Sequence, residues 1–225
     1  MQPETVGYCE KRRKTEMKKS LGAGPMAYPQ VVFLVGTYDE NGVPDVMTVA
    51  WGGISSGEPP CVQVNIRPQR KTMSNIEKGS AITVGIPSAE HTAIADYFGL
   101  ESGHNCNTKI EKAGVTAIPA AEALAKAGSE AAGADGTGAD EINAPVIEEL
   151  KLTLVCKVIN TFELGSHIQV TGQIIDVLAD EEILDDKGII DIKKLDPILY
   201  DHSAREYYGV GETTGDAYTI GLQFK

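Results

Sequence analysis

Three basic side chains stand together where a predicted strand meets a predicted helix: Arg67, Arg70 and Lys71. Such side chains bind phosphate and carboxylate groups through charge-assisted hydrogen bonds. The free backbone N–H groups at the start of the helix, from Thr72 onward, would add to the positive potential. The residue types indicate either a phosphate-binding site or an ordinary exposed basic loop, and the pattern alone does not separate these alternatives.

A flat ligand would find room just before this cluster. Alternate residues of a strand face opposite sides, which places Thr48, Ala50 and Gly52 on one side and Met47, Val49 and Trp51 on the other. Small side chains and glycines leave backbone amides open to a planar ring. Trp51, the only tryptophan of the chain, is either part of such a site or a core indole.

The elements that hold these residues are predicted to be strands. Residues 31–38 are apolar and β-branched, residues 39–42 form a turn, and the chain returns as a strand at 46–50, which is typical of a β-hairpin. In residues 61–67 apolar and polar side chains alternate. This strand therefore has one buried face and one polar face, and Asn65 and Arg67 belong to the polar face.

Two short helices follow along the chain. The first is capped by Thr72 or by Ser74, which has capping-box spacing with a glutamate three residues on, and it ends at Gly79. The second is capped by Ser88 and ends at Gly99. Its apolar side chains lie on one face, so its role is predicted to be structural.

The rest of the chain predicts an antiparallel β protein. Further strands are expected at residues 81–86, 152–158, 167–178 and 218–224. The apolar phase slips at Ile174 and Ile175, which predicts a β-bulge. Residues 120–140 contain nine alanines and four glycines and are predicted to form a mobile surface insertion with a short Ala-rich helix at most. Six or seven strands without strand–helix alternation favour a barrel.

Composition narrows the functional classes. The formal net charge of −12 disfavours nucleic-acid binding, in spite of basic residues near the start of the chain. No apolar run approaches the ~20 residues of a membrane span, and the first residues lack the apolar core of a secretory signal. We therefore expect a soluble cytoplasmic protein with no membrane partner.

Metal and nucleotide motifs are missing from the sequence. Its four cysteines, at positions 9, 61, 106 and 156, are far apart and predict buried or incidental thiols rather than a metal site. Gly209 to Gly215 has the wrong spacing for a dinucleotide loop. Asp180 to Gly188 lacks the spacing of a calcium loop and is predicted to be a solvated edge hairpin.

Several motifs in order resemble one known family: "MKKSLGAGPMAYPQVVFLVGTYDENGVPDVMTVAWGG", "PPCVQVNIRPQRKTMSNI", "ADYFGLESGHN" and "LGSHIQVTGQIIDV". Residues 17–225 are similar to the flavoredoxin branch of the flavin reductase-like, FMN-binding split-barrel family. Residues 1–16 would then be an N-terminal extension, and residues 120–140 an insertion. The resemblance implies a mainly β, antiparallel Greek-key split barrel with short peripheral helices, which forms a homodimer and holds FMN near the subunit interface.

The resemblance also implies which residues hold FMN. Those that would line the isoalloxazine and ribityl chain are Met47, Thr48, Val49, Ala50 and Trp51. Those that would hold the ribityl hydroxyls and the phosphate are Asn65, Arg67, Arg70, Lys71 and Thr72. His167 falls where the family keeps a histidine close to the flavin, although a strand-end histidine satisfied by backbone is an equal alternative.

Two features bear on the reaction. Tyr207 and Tyr208 would cover the site from the other subunit or else pack on their own strand. Family members often carry an arginine and an aspartate where this chain has His104 and Asn105. The resemblance therefore does not decide whether this chain contacts the phosphate of a nicotinamide cofactor at this place.

The function that the resemblance implies is electron transfer from NAD(P)H through FMN to flavin or another acceptor. The first alternative is a flavoredoxin-type electron carrier without its own NAD(P)H site, which serves a small-molecule or protein redox partner. The second is a flavin-free binding module with the same fold.

Overall fold

The computed structural model describes residues 18–129 and 142–225. The predicted N-terminal extension 1–16 and the part of the Ala/Gly-rich stretch from 130 to 140 lie outside these ranges. The strands are β1 (Gln30–Val31), β2 (Phe33–Tyr38), β3 (Pro44–Val49), β4 (Gly52–Gly57), β5 (Pro60–Ile66), β6 (Ala81–Gly85), β7 (Ala117–Pro119), β8 (Pro145–Ile147), β9 (Leu152–Leu164), β10 (His167–Ala179), β11 (Leu199–Asp201) and β12 (Glu206–Tyr208). The α-helices are α1 (Lys71–Lys78), α2 (Thr92–Leu100), α3 (Lys109–Ala113), α4 (Ala120–Lys126) and α5 (Ile192–Leu195).

Seven strands form one antiparallel sheet in the order β3-β2-β6-β9-β10-β5-β4. β3 and β4 lie at opposite edges of this sheet, yet only Ala50 and Trp51 separate them in the chain. So short a link requires the sheet to curl until its two edges meet, because two residues span at most ~7 Å. The predicted split β-barrel is therefore confirmed, and Ala50 and Trp51 lie at its split.

The barrel interior is filled by one face of each strand. Side chains with no exposed surface include Val35, Val62, Val64, Ile66, Ile82 and Val84. In β5 these alternate with the half-buried Gln63 and Asn65, which confirms the predicted alternation. Burial of the apolar face is the dominant stabilising contribution, about 25 cal/mol per Å² of apolar surface removed from water, and it leaves the polar face of β5 turned outward.

The predicted hairpin and bulge are present. In the β2–β3 turn, the Asp39 carboxylate accepts hydrogen bonds of 2.9 Å from the backbone N–H groups of Asn41 and Val43. Gly42 has a φ of +75°, which a glycine adopts without strain. In β10 the register shifts between Ile174 and Asp176, so the predicted bulge is confirmed at Ile175.

The predicted N-caps of both helices are wrong, whereas the predicted end of α1 at Gly79 is confirmed. α1 begins one residue before Thr72, and its N-cap is Arg70, which forms no side-chain capping bond. Ser74 therefore lies inside the helix. Ser88 precedes a 3₁₀ turn, Ala89–His91, and its hydroxyl contacts the Nδ1 atom of His91 at 2.8 Å rather than a backbone N–H. α2 then continues one residue past Gly99. The Thr72 hydroxyl instead donates to the distant Asp45, whereas the Ser88 hydroxyl bonds to a side chain of its own turn.

The Ala-rich stretch begins as part of the core and not as a surface insertion. Ala120, Ala123 and Leu124 of α4 are buried against Ile142 and other apolar residues around β8. Small side chains allow this close approach of helix and strand. The predicted short Ala-rich helix is confirmed.

The predicted strand at 218–224 is wrong. Residues Ile220–Phe224 form a 3₁₀ helix, and no strand of the described residues pairs with this segment. An alternating apolar pattern becomes a strand only when a neighbouring strand edge completes its hydrogen bonds. Residues 180–188 contain a 3₁₀ turn, Glu181–Ile183, and then a tight turn next to the bridge between Leu184 and Ile190, so the predicted hairpin is present in shortened form.

Two smaller sheets complete the fold. β11 pairs with both β1 and β12, and it brings residues near position 200 to the open side of the barrel. β7 pairs with β8. No helix in the described ranges has the length and apolar character needed to cross a bilayer.

Candidate functional site

A cavity of about 430 Å³ opens at the barrel split, a volume within the usual range for small-molecule sites. Five parts of the chain meet there: the end of β3 with its link to β4, the end of β5, the start of α1, the start of β10, and β11 with the residue after it. The lining residues are Met47, Thr48, Val49, Ala50, Trp51, Asn65, Arg67, Arg70, His167, Tyr200 and His202. The cavity thus brings together most of the residues that the sequence predicted for one ligand.

Two predicted residues do not line this cavity. The Lys71 ammonium lies 2.9 Å from the Asp39 carboxylate. Thr72 is buried, and its hydroxyl donates to the Asp45 carboxylate at 2.7 Å. Both residues belong to the first turn of α1, so they hold the helix that follows Arg70 against the barrel instead of facing the cavity.

The wall at the split is held by a doubled hydrogen bond. The backbone N–H and the side-chain amide of Asn65 both donate to the Trp51 carbonyl at 2.9 Å. Next to it, a Cβ atom on Gly52 would lie 2.7 Å from the Gln63 carbonyl and 2.9 Å from the Phe33 ring. Only a glycine therefore allows β4 to approach β5 this closely, and the approach fixes the position of Trp51.

The cavity carries positive charge. The Arg67 guanidinium forms no hydrogen bond or ion pair with another of the described residues, and it is exposed at the end of β5. Arg70 donates to the Gly99 carbonyl at 2.7 Å, which orients its guanidinium from the last turn of α2 and leaves its other N–H groups available. None of the described residues that line the cavity is acidic. This arrangement favours an anionic ligand.

Aromatic rings form the opposite wall. The ring centroids of Trp51 and His167 are 4.6 Å apart, and those of Trp51 and His202 are 6.2 Å apart. The Tyr200 ring meets His202 edge to face at 6.4 Å. Sequence reasoning missed Tyr200 and His202, because the short strand β11 has no periodic pattern that would place it beside the barrel. A flat, partly apolar group would pack well here.

The surroundings of His167 favour its neutral imidazole form. Burial, and then the positive charge of Arg67, lower the pKa of His167 below its usual value. The Ser166 hydroxyl lies 2.8 Å from Nδ1. If that hydroxyl donates to Nδ1, the Nε2 atom carries the proton and can donate it in a hydrogen bond to a ligand.

A second, smaller cavity of about 240 Å³ shares Thr48, Ala50 and Tyr200 with the first. On its far side the Tyr207 hydroxyl donates to the Asp96 carboxylate at 3.1 Å. Burial and the Asp96 charge raise the pKa of Tyr207, so this phenol stays protonated. Its ring packs against Tyr200 of the same chain, with centroids 5.4 Å apart.

A buried ion pair lies behind the site. The Lys109 ammonium is 2.7 Å from the Asp45 carboxylate, and both side chains are only 2% exposed. The second Asp45 oxygen accepts the hydrogen bond from Thr72. A Cβ atom on Gly103 would lie 2.1 Å from Asp45. Asp45 therefore joins β3, α1, α3 and the loop before α3 at one point.

The described residues show little metal or thiol chemistry. Within them, no group of three His, Cys, Asp or Glu side chains could hold a metal ion. Cys61, Cys106 and Cys156 are free and buried, as the sequence predicted, and none lines the cavity.

Fold and site together define a class of protein: an antiparallel split barrel with a basic and aromatic cavity at its split. Comparison with known families agrees with this class. A family model described as "Flavin reductase like domain" matches residues 26–209. The chain belongs to the flavin reductase-like family.

Solved structures show the same relationship. Flavoredoxin of Desulfovibrio vulgaris (Miyazaki F) is 38% identical, with 91% of this chain and 100% of that chain covered and a TM-score of 0.77. Flavoredoxin from Methanosarcina acetivorans is 24% identical, with 93% and 100% covered and a TM-score of 0.78. An FMN-binding protein from Thermus thermophilus is 19% identical, with 89% and 99% covered and a TM-score of 0.67. The last two, below 25% identity, support the fold alone.

Proposed function

We propose that the protein is a cytoplasmic FMN-dependent oxidoreductase that transfers electrons from NAD(P)H through bound FMN to flavin or another acceptor. One observation carries the proposal: among the described residues, a single cavity is lined by two arginines, by no carboxylate and by a wall of aromatic rings. Membership of the flavin reductase-like family supports the same conclusion.

The residues present fit FMN. Its phosphate needs donors that are not already neutralised, and Arg67 meets this requirement because its guanidinium has no partner among the described residues. Arg70 is oriented in advance by the Gly99 carbonyl, so little side-chain entropy is lost when it binds. The rings of Trp51 and His167 offer a surface for a planar heterocycle.

When bound, FMN would supply the redox chemistry itself, as flavins accept a hydride and pass electrons on. The role of the chain is then to bind FMN, to orient it and to shield it from water. Backbone amides of residues 48–52 would face the heterocycle, and Asn65 would keep them in place through its two bonds to the Trp51 carbonyl. A neutral His167 would donate one hydrogen bond without adding charge. Lys71 and Thr72, which the resemblance placed at the phosphate, would act by holding the first turn of α1.

We also propose that two copies associate around this cavity. β9 runs past its last pair with β6 while β10 stays paired with β5. In this outer stretch of β9, residues 159–164, which we call the arm, Ile159, Phe162 and Leu164 are about half exposed. In the sheet register Leu164 pairs with His167, and Phe162 pairs with Gln169. The apolar side chains of the arm therefore border the cavity, and a second copy would shield both.

An electron carrier without its own NAD(P)H site is the second candidate. One observation favours it: residues 104 and 105 are a histidine and an asparagine, where family members often carry an arginine and an aspartate. A chain of this type would receive electrons from a separate reductase.

The visible absorption spectrum of the purified protein, before and after anaerobic NADH or NADPH, tests these candidates. A flavin spectrum that is bleached by either nucleotide supports the reductase. A flavin spectrum that neither nucleotide bleaches supports the carrier instead. Absence of flavin even after incubation with FMN, together with no gain in thermal stability from FMN, would contradict both and leave the flavin-free module.

A further inference from the structure

The smaller cavity beside the flavin site carries a charge of opposite sign to its neighbour. It measures about 240 Å³, and the residues that line it include Asp96, Tyr200 and Tyr207. Asp96 is the only charged side chain among the described residues of this lining, whereas two arginines line the larger cavity. Adjoining cavities of opposite charge favour two different ligands.

The Asp96 carboxylate is oriented but not neutralised. It accepts a hydrogen bond of 3.1 Å from the Tyr207 hydroxyl, and it forms no ion pair with another of the described residues. Arg70, the nearby arginine of the larger cavity, donates instead to the Gly99 carbonyl at 2.7 Å. Because Asp96 is also exposed, its charge is available to a cationic ligand.

Two aromatic rings complete a setting that favours an organic cation. Tyr200 and Tyr207 are register partners in β11 and β12, and their ring centroids lie 5.4 Å apart with the planes inclined by 45°. Both rings pack against the buried cluster that contains Val32 and Phe98, so the core holds them in place. Aromatic rings attract cations, and the Asp96 charge acts in the same direction.

A shared wall places such a ligand next to the proposed flavin. Thr48, Ala50 and Tyr200 line both cavities. The Thr48 hydroxyl donates to the Ala95 carbonyl, and this bond ties the wall to α2, the helix that carries Asp96. A ligand that fills the smaller cavity therefore lies against residues that also line the flavin site.

The proposed reaction forms an aromatic cation. A dihydronicotinamide ring is uncharged, and it reacts by breaking one C–H bond. The hydride, a proton together with both bonding electrons, passes to the flavin, and a pyridinium ring with one positive charge remains. A carboxylate beside the ring stabilises this developing charge more than it stabilises the uncharged reduced ring.

We propose that the smaller cavity binds the nicotinamide ring and that Asp96 stabilises the pyridinium cation formed there. Tyr207 is a positioning residue, since its hydroxyl orients the Asp96 carboxylate. The inference rests on the proposed electron transfer from NAD(P)H, and it adds the place of the donor ring and the group that balances its charge. This site does not depend on His104 and Asn105.

A matched pair of small molecules tests the site without any redox reaction. Nicotinamide methylated on its ring nitrogen is a pyridinium cation, and meta-toluamide is its uncharged isostere. The full chain should bind the cation more tightly than the isostere. Asp96→Asn should weaken binding of the cation about fivefold, as expected for an exposed charge pair with a cation–π contact, and should leave the isostere unaffected.

Glu111→Gln is the matched control, because it removes an exposed carboxylate of α3 outside the cavity. It should change neither affinity. Amide chemical shifts, followed by two-dimensional NMR with FMN and again without it, give the dissociation constants. The largest shifts should fall on Gly99 and Leu100, which line the cavity. Largest shifts elsewhere would overturn the inference.

The nucleotides themselves test the assignment to nicotinamide. Asp96→Asn should weaken binding of the oxidised nucleotide about fivefold and that of the reduced nucleotide less than ~2-fold, because only the oxidised ring is charged. For the same reason it should slow anaerobic bleaching of bound FMN at saturating NADH or NADPH. An equal loss of affinity for both nucleotides would show a structural effect of the variant and contradict the inference.

The outcomes separate this inference from the proposed function. If a nucleotide bleaches the flavin while Asp96→Asn changes neither the rate nor the affinity for the cation, the reductase stands and the inference is wrong. If no nucleotide bleaches the flavin but the cation still binds through Asp96, the NAD(P)H dependence is wrong, and the assignment of the cavity to nicotinamide is wrong with it. If there is neither bleaching nor binding of the cation, both are wrong.

Discussion

The indole of Trp51 and the imidazole of His167 lie with their ring centroids 4.6 Å apart and their planes inclined by 42°. Trp51 directly precedes β4 and is hydrogen-bonded to Asn65 of β5, whereas His167 begins β10, which pairs with the other side of β5. The contact therefore bridges the two strands that flank β5, and it forms one wall of the proposed flavin site.

The pKa of His167 tests the electrostatics of this wall. Since burial and Arg67 both disfavour the imidazolium, His167 should titrate below the model-peptide value of ~6.5 in an NMR pH titration. Arg67→Gln should raise its pKa toward that value, while Lys187→Gln should not. Between the unfolded and folded pKa values the unfolded chain binds more protons, so this residue's contribution to stability falls as the pH drops below ~6.5. A pKa at or above 6.5 would contradict the site geometry.

Arg67 and Lys71 should differ in their effect on FMN. Arg67→Gln removes a guanidinium that has no protein partner and should weaken FMN binding ~10- to 100-fold, as expected for lost charged hydrogen bonds. Lys71→Gln should weaken it less than ~3-fold, because that ammonium already pairs with Asp39. Quenching of Trp51 fluorescence by FMN gives both dissociation constants. Equal losses would show that Lys71 leaves Asp39 for the phosphate, as the sequence predicted.

The buried Asp45–Lys109 pair should control stability. Lys109→Met leaves the Asp45 carboxylate buried without its cation and should lower the free energy of unfolding by ~3–5 kcal/mol. Adding Asp45→Asn should recover part of this loss. Urea denaturation measures the three values. Lys78→Met, which breaks the exposed pair with Glu40, is the control and should cost less than ~1 kcal/mol. A similar cost for both lysines would exclude a special role for the buried pair.

The thiols should react in a fixed order. Hydrogen bonding to Thr108 and the nearby Lys112 lower the pKa of Cys106. Burial raises the pKa of Cys156 to about 12. Because the thiolate is the reacting form, iodoacetamide at pH 8 should label Cys106 before Cys156, as followed by mass spectrometry of the folded protein. In urea the rates should converge, and faster labelling of Cys156 in the folded state would contradict the burial.

Much of the site could be predicted because its residues are close in sequence. Met47 to Trp51 and Asn65 to Arg70 lie on neighbouring elements whose alternation shows which face is polar, and short-range patterns of this kind depend on local geometry. The resemblance to a family supplied His167. Tyr200 and His202 could not be placed, since β11 is three residues long and meets the barrel through long-range pairing.

The sequence by itself determined the strands β2, β3, β5, β6, β9 and β10, their buried faces, the β10 bulge and the basic cluster, because each follows from side-chain type and a period of two. Only the tertiary structure decided how the side chains are used. It directed Thr72 to Asp45 and Lys71 to Asp39, and it buried α4 against β8. It also left the alternating residues 218–224 without a strand to pair with. In each case the competing partner is distant in sequence, and only the packed fold shows which partner a hydrogen-bonding or apolar group meets.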